Sequence, residues 1–85
     1  MLTWPKEVRS IRQFLPGGVA EYKLSHQEVG ELGRIVLTPA VHGGCVVSHE
    51  VFAADDGLMP RRIALLEPLA KLVYAALDNH ARLTR

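Results

Sequence analysis

Apolar residues are most densely spaced in the last third of the chain, from Met59 to Leu83. At about 100° per residue they spread over roughly 200° of a helical wheel, whereas a surface helix needs an apolar stripe of about 100° to lie on one core. The pattern predicts one long helix, which either lies deep in a groove of its own domain or meets a second chain with part of its face. Pro60 is expected in its first turn, and Pro68 in its interior is expected to bend it.

At the start of the chain, four apolar residues recur at i, i+4, i+7 and i+11, the spacing of one helical face. Thr3 can cap such a helix, and the segment 16–18, Pro-Gly-Gly, is a strong stop. The spacing therefore predicts a short amphipathic helix between Thr3 and this stop, with an apolar stripe formed by Trp4, Val8, Ile11 and Leu15.

The segment Val19–Leu24 alternates apolar and polar residues, which predicts a half-buried strand. Ser25 and Glu28 then have the spacing of a capping box, in which each side chain satisfies a backbone donor of the other. This motif predicts about two helical turns, ended by Gly33.

Two further strands, Arg34–Val41 and Cys45–Phe52, are predicted on either side of His42-Gly43-Gly44. A three-residue loop places all the aliphatic partners on one face, and a slip by one residue would destroy this arrangement. The predicted partners are Val41 with Cys45, Pro39 with Val47, Leu37 with His49, and Ile35 with Val51.

These elements predict a single α+β domain over residues 1–85. It comprises a short N-terminal helix, a three-stranded, mostly antiparallel sheet with an inserted helical turn, and a long C-terminal helix packed on the sheet. Apolar residues make up 48% of the chain and charged residues 22%, which is typical of a globular protein.

Charge and targeting signals narrow the function classes. Ten Lys and Arg stand against nine Asp and Glu, a balance that gives no general attraction to nucleic acid or to anionic membranes. No secretion signal and no apolar stretch of about 20 residues is visible, so we expect a cytoplasmic protein without a membrane partner. The single cysteine, Cys45, excludes an internal disulfide.

The residues that could carry chemistry give weak signals. His42, Cys45 and His49 are potential zinc ligands, but Cys45 and His49 would lie about 13 Å apart along one strand, too far to share a metal. We therefore predict no metal site, no cofactor and no catalytic residues, with Cys45 facing the core. Asp55 and Asp56 fit a turn that leads into the last helix.

The broad face of the last helix and the second face of the predicted hairpin leave apolar surface uncovered. These surfaces predict a small, non-catalytic interaction module that forms a homodimer, with another protein as a possible partner. The interface is predicted at Val36, Val46, Phe52, Leu65, Leu69, Leu72, Val73 and Ala76.

Two other functions remain open. A nucleic-acid-binding transcriptional regulator would use Arg9, Arg12, Arg61 and Arg62 for phosphate contacts if these side chains fell on one face. A metal- or thiol-dependent enzyme would require a pocket that gathers His42, Cys45 or Asp55.

The run IVLTPAVHGGCVVSHEVFAADD from Ile35 to Asp56, followed by RRIALLEPLAKLVYAAL, resembles a family of small bacterial domains of unknown function. Members of that family pair a hairpin ending in a C-x-I-S-x-E-A-like run with a C-terminal helix. The matching positions here are Gly43, Cys45, Val47, Ser48, Glu50 and Val51. Some members are described as transcription regulators, so the resemblance implies a bacterial protein and, faintly, a regulatory role, and it brings no catalytic residues.

Overall fold

A computed structural model describes residues 3–83 and, within the last helix, side chains as far as residue 77. Within these residues the chain forms one antiparallel sheet in the order β1-β2-β3-β4, followed by one helix. The elements are β1 (Val8–Leu15), β2 (Val19–His26), β3 (Gly30–Pro39), β4 (Cys45–Val51) and α1 (Met59–Leu83). The long helix is confirmed over its whole predicted length. The predicted fold class is wrong in its architecture, because the sheet has four strands and residues 3–58 contain no helix at the predicted N-terminal position.

The segment predicted as the first helix is strand β1, paired along its whole length with β2. Eight residues hold too few helical repeats to establish a period, and Val8 and Ile11 are β-branched residues that suit a strand. Pairing with a neighbouring strand therefore outweighs the helical spacing. The Pro-Gly-Gly stop keeps its predicted place as the turn between β1 and β2.

The predicted helical turn after Ser25 is also wrong. Strand β2 continues through Ser25 to His26, a tight turn covers residues 27–29, and β3 begins at Gly30. The backbone N–H of Glu28 donates to Nδ1 of His26 at 3.0 Å, so a side chain on β2 satisfies a donor that the capping box had assigned to Ser25. Gly30 has a positive φ of 73°, which a helix interior does not accommodate.

The β3–β4 hairpin forms as predicted, but its register differs by two residues. Pro39 pairs with Cys45, and Leu37 pairs with Val47. The connection is longer than three residues because Ala40 N–H bonds the Gly44 carbonyl at 3.3 Å. Since a shift of two residues preserves the side-chain faces, the predicted division into two faces survives.

A bulge between β2 and β3 lets apolar side chains face the core on both sides of a register shift. The register shifts beside Leu24 and Ser25, so that Leu24 pairs with Gly33 while Ser25 pairs with Glu31. Gly33 lies at φ 152°, and a Cβ there would overlap the carbonyl oxygen of Glu50 on β4. Glycine is therefore required on β3 at this point, because the backbone of β4 leaves no room for a side chain.

The hydrophobic core lies between α1 and the sheet. The helix backbone lies over β3 and β4 and away from β1 and β2, so that of these two strands only part, including Val8 and Leu24, is buried in the core. Its buried residues occupy only about 100° of the helical wheel, half of the predicted apolar arc. The core consists of Val8, Leu24, Leu32, Ile35, Val47, Leu66, Leu69, Ala70 and Val73.

Arg62 fastens the start of the helix to the sheet. Its guanidinium pairs with Asp56, donates to the carbonyl of Glu31 at 3.3 Å and lies 5.1 Å from the centre of the Phe52 ring. Asp56 also accepts the Leu58 N–H at 3.0 Å, which confirms the predicted turn before the helix. Because Arg62 is only 2% exposed, its charge is retained by these contacts rather than by water.

Candidate interaction surface

The face of the sheet that turns away from α1, here called the open face, holds a cleft of about 830 Å³. The strand registers place one residue from each strand in a row across it: Ile11, Lys23, Arg34 and Glu50. Arg9 and Phe52 also line the cleft. The row mixes apolar, cationic and anionic side chains, a composition closer to the rim of a protein interface than to a site for one ionic ligand.

Three charged side chains on the open face form a single ion-pair network. Arg34 donates to Glu21 and to Glu50, each at 3.1 Å. Both carboxylates raise the pKa of the Arg34 guanidinium, Glu50 contributing most. Glu21 is 4% exposed and has its charge balanced by Arg34, so these groups hold three strands together and are not free to act on a substrate.

On the other face, the part of the sheet that the helix does not cover exposes a large aromatic side chain. Phe14 is 72% exposed, and the Arg12 guanidinium lies 5.1 Å from the centre of its ring. Trp4 covers Tyr22 on the neighbouring strand, with ring centres 5.9 Å apart in an edge-to-face arrangement. Strand β1 therefore has exposed apolar side chains on both faces, because Ile11 on the open face is 68% exposed.

The residues predicted as an interface divide into two groups. Leu69 and Val73 are 4% and 2% exposed and belong to the core of their own chain, so they do not form a surface for a partner. The remaining six residues retain exposed surface: Val36, Val46 and Phe52 on the sheet, and Leu65, Leu72 and Ala76 on the flank of the helix. The apolar arc of the helix is wide because it includes two partly exposed flanks beside the buried face.

The two helix flanks face different parts of the sheet. The Tyr74 hydroxyl donates to the Val47 carbonyl on β4 at 2.8 Å, so this flank lies along the outer side of β4. The opposite flank, which carries Leu72, therefore faces the uncovered strands. Leu72 is 40% exposed there.

The four arginines considered for nucleic acid are not brought together. Arg9 and Arg12 differ by an odd number of residues on one strand and lie on opposite faces of the sheet. Arg61 binds Glu28 through two hydrogen bonds of 3.0 and 2.8 Å, and Arg62 is buried in its pair with Asp56. No common phosphate-binding surface results from these four side chains.

The candidate metal and thiol residues are dispersed. Cys45 is exposed rather than directed into the core, which corrects the prediction, and its Sγ lies 3.9 Å from the Val46 carbonyl oxygen. His42 lies in the β3–β4 loop and His49 is exposed on β4. Among the described residues, no group of three or more His, Cys, Asp or Glu side chains could hold a metal ion.

Strand β1 is the surface that sequence reasoning missed. Ile11 was assigned to a helical stripe, and Phe14 was not assigned to any surface. Their separation by an odd number of residues places them on opposite faces of a strand, so the apolar residues of this segment do not alternate with polar ones and no period of two signals the strand.

Within residues 3–83, no helix is both long and apolar enough to cross a membrane. Comparisons with protein-family models, with curated proteins and with solved structures find no match to this chain. Its function is therefore inferred from its own geometry, and the resemblance to small bacterial domains stays a prediction.

Proposed function

We propose that this chain is a small, non-catalytic interaction module that assembles as a homodimer. The observation that carries the proposal is the exposure of apolar side chains on both sides of an edge strand. Ile11 and Phe14 are each about two-thirds or more exposed. A strand of an antiparallel sheet normally directs its apolar side chains to the core and its polar side chains to water, so two exposed apolar side chains on one strand are unusual.

The proposed class also accounts for the polar groups. Arg34 engages two carboxylates on the open face, and the buried Arg62 is held by Asp56. These ion pairs stabilise the fold. The exposed thiol of Cys45 suits a reducing compartment, and we place the module in the cytoplasm, in a bacterial context, as part of the same proposal.

The mass of the native protein in solution tests the proposal directly. Light scattering or sedimentation at micromolar concentration should give twice the 9.4 kDa of one chain. The melting temperature should rise with protein concentration, because dissociation and unfolding are linked. A particle of 9.4 kDa whose melting temperature does not depend on concentration would refute it.

A further inference from the structure

The two edges of the sheet differ in how they are protected. The outer side of β4 lies beside the helix, and Tyr74 occupies the carbonyl of Val47 there. The outer side of β1 has neither a proline nor a bulge within Val8–Leu15 and is not packed against the helix. We call the outer backbone of β1, from Val8 to Leu15, the free edge. Unprotected edges of this length are templates for pairing with another strand.

The hydrogen-bond pattern identifies which backbone groups the free edge presents. The Gln27 N–H bonds the Glu7 carbonyl at 3.0 Å, one pair beyond the pairing of Val8 with His26. Because bonded and non-bonded pairs alternate in antiparallel strands, the odd-numbered residues of β1 direct their backbone groups to β2. The even-numbered residues direct theirs outward. The Val8 N–H agrees with this pattern, since it bonds Pro5 in a turn instead of β2.

Resting on the homodimer proposed above, we propose that the free edge pairs with the free edge of a second copy, antiparallel and in one register. The two-fold axis passes beside Ile11, and the two four-stranded sheets become one continuous eight-stranded sheet. The outward N–H groups of Ser10 and Arg12 then bond the outward carbonyls of Arg12 and Ser10 in the second copy. The Phe14 N–H bonds the carbonyl of Val8 in the second copy.

Side-chain chemistry selects this register among its neighbours. Only registers that pair even-numbered residues with one another join two sets of outward backbone groups. An axis beside Arg12 would place two arginine side chains opposite each other, and like charges in that position are destabilising. An axis beside Ser10 would leave Phe14 beyond the paired segment.

With the axis beside Ile11, the two most exposed apolar residues of β1, Ile11 and Phe14, each gain an apolar partner. Ile11 lies opposite Ile11 of the second copy on the open face, and Phe14 lies opposite Val8 on the other face. Arg9 faces Gln13 and Arg12 faces Ser10, so no two like charges are opposed. Aromatic and β-branched pairs of this kind stabilise antiparallel strands.

The proposed axis is perpendicular to the sheet, so both helices lie on the same side of it. They are separated by β1 and β2 of each copy, so the two β3 strands beneath them lie roughly 24 Å apart at the usual strand spacing. The helix flanks that carry Leu72 therefore do not meet. This separates the proposed dimer from an alternative one in which each helix flank covers the uncovered strands of the other copy.

Cysteine cross-linking tests the register in the full chain. In a Cys45→Ser background, Ile11→Cys places one cysteine of each copy opposite the other. Their Cα atoms lie about 4.5 Å apart, a separation that a disulfide can bridge. Oxidised glutathione should convert this variant to a covalent dimer. The matched variant Gln13→Cys lies on the same face, but its two copies are four residues apart along the strand, about 13 Å, and should remain uncross-linked.

A proline on the free edge tests the backbone pairing. Arg12→Pro removes an N–H that points outward and makes no bond to β2, so the monomer should keep its fold. Each dimer loses two backbone hydrogen bonds, one per copy, which predicts a dissociation constant weakened by roughly 30-fold. Leu72→Asp on the helix flank should leave the dissociation constant unchanged.

The outcomes separate the two proposals. If the native protein is a monomer, the homodimer itself is refuted. If it is a dimer but Gln13→Cys cross-links as well as Ile11→Cys, or neither does, the register is wrong while the homodimer stands. If Leu72→Asp dissociates the dimer and Arg12→Pro does not, the helix flank is the interface. Should Arg12→Pro unfold, the cross-linking result alone decides the register.

Discussion

The burial of one helix face can be tested with two leucines of α1 that undergo the same substitution. Leu66 is 1% exposed and belongs to the core, whereas Leu72 is 40% exposed on the flank. Leu66→Ala removes buried methyl groups and leaves a cavity between the helix and the sheet. Substitutions of this type cost about 2–5 kcal/mol. Leu72→Ala leaves no enclosed cavity and should cost about 0.5–1 kcal/mol.

These magnitudes are large against the whole stability of the domain. A chain of this length has a free energy of unfolding of roughly 4–13 kcal/mol. Leu66→Ala should therefore remove a large part of it and lower the melting temperature by roughly 10 °C or more. Leu72→Ala should lower it by only a few degrees.

Urea titration at one fixed protein concentration is the suitable assay, since the concentration affects the stability of a dimer. Trp4 fluorescence reports the unfolding, because Trp4 packs 5.9 Å from the Tyr22 ring in the folded chain. The midpoint should shift without a change in the slope. Equal shifts for the Leu66 and Leu72 variants, or a larger shift for Leu72, would show that the helix buries a different face.

Four further outcomes are expected. Gly33→Ala should destabilise the fold far more than Gly30→Ala, because both glycines have a positive φ but only Gly33 lies against the backbone of β4. Comparable urea midpoints for the two variants would contradict the close approach of Gly33 to β4. Cys45→Ser should change the free energy of unfolding by less than about 0.5 kcal/mol, since the thiol is exposed. A loss typical of a core residue would mean that the thiol is buried. Arg62→Lys should lower the urea midpoint, because an ammonium cannot bind Asp56 with two donors and stack on an aromatic ring at once. An unchanged midpoint would show that Arg62 does not stabilise the attachment of the helix to the sheet. The Arg62 guanidinium holds the pKa of the Asp56 carboxyl below its usual range. This pair should therefore stabilise the fold fully above the ordinary carboxyl pKa of about 4, and the contribution should be lost as the pH falls through the lowered pKa. Asp56→Asn should make the free energy of unfolding depend less on pH in the acid range, and parallel pH profiles of the two proteins would refute this.

The sequence by itself determined the elements whose signal is local and long. The 25 residues of α1 repeat their apolar spacing over many turns, so the helix and its bounds could be predicted. The alternation in Val19–Leu24 identified β2, and glycine pairs marked two of the turns. Each of these signals depends on neighbours in the chain, which are present whatever the rest of the molecule does.

Other features depend on partners that are distant in sequence. The hairpin register differed by two residues from the prediction because a shift of two keeps every side chain on its own face, so hydrophobic pattern alone cannot choose between the two. Arg62 was considered for a phosphate contact together with Arg9, Arg12 and Arg61, on the condition that the four side chains share one face. Its burial required a carboxylate, a carbonyl and an aromatic ring to converge from three segments.

Strand β1 shows most clearly what only the tertiary structure decided. Its apolar residues satisfy the spacing of a helical face and do not alternate with polar residues, so the local pattern favours a helix, although eight residues are too few to fix it. The backbone of β2 resolves the choice, because pairing along the whole of β1 satisfies the N–H and carbonyl groups on one side of the strand. The same pairing leaves the other side open, with Ile11 and Phe14 exposed on either face of it. The surface proposed for assembly thus exists only because the segment became an edge strand.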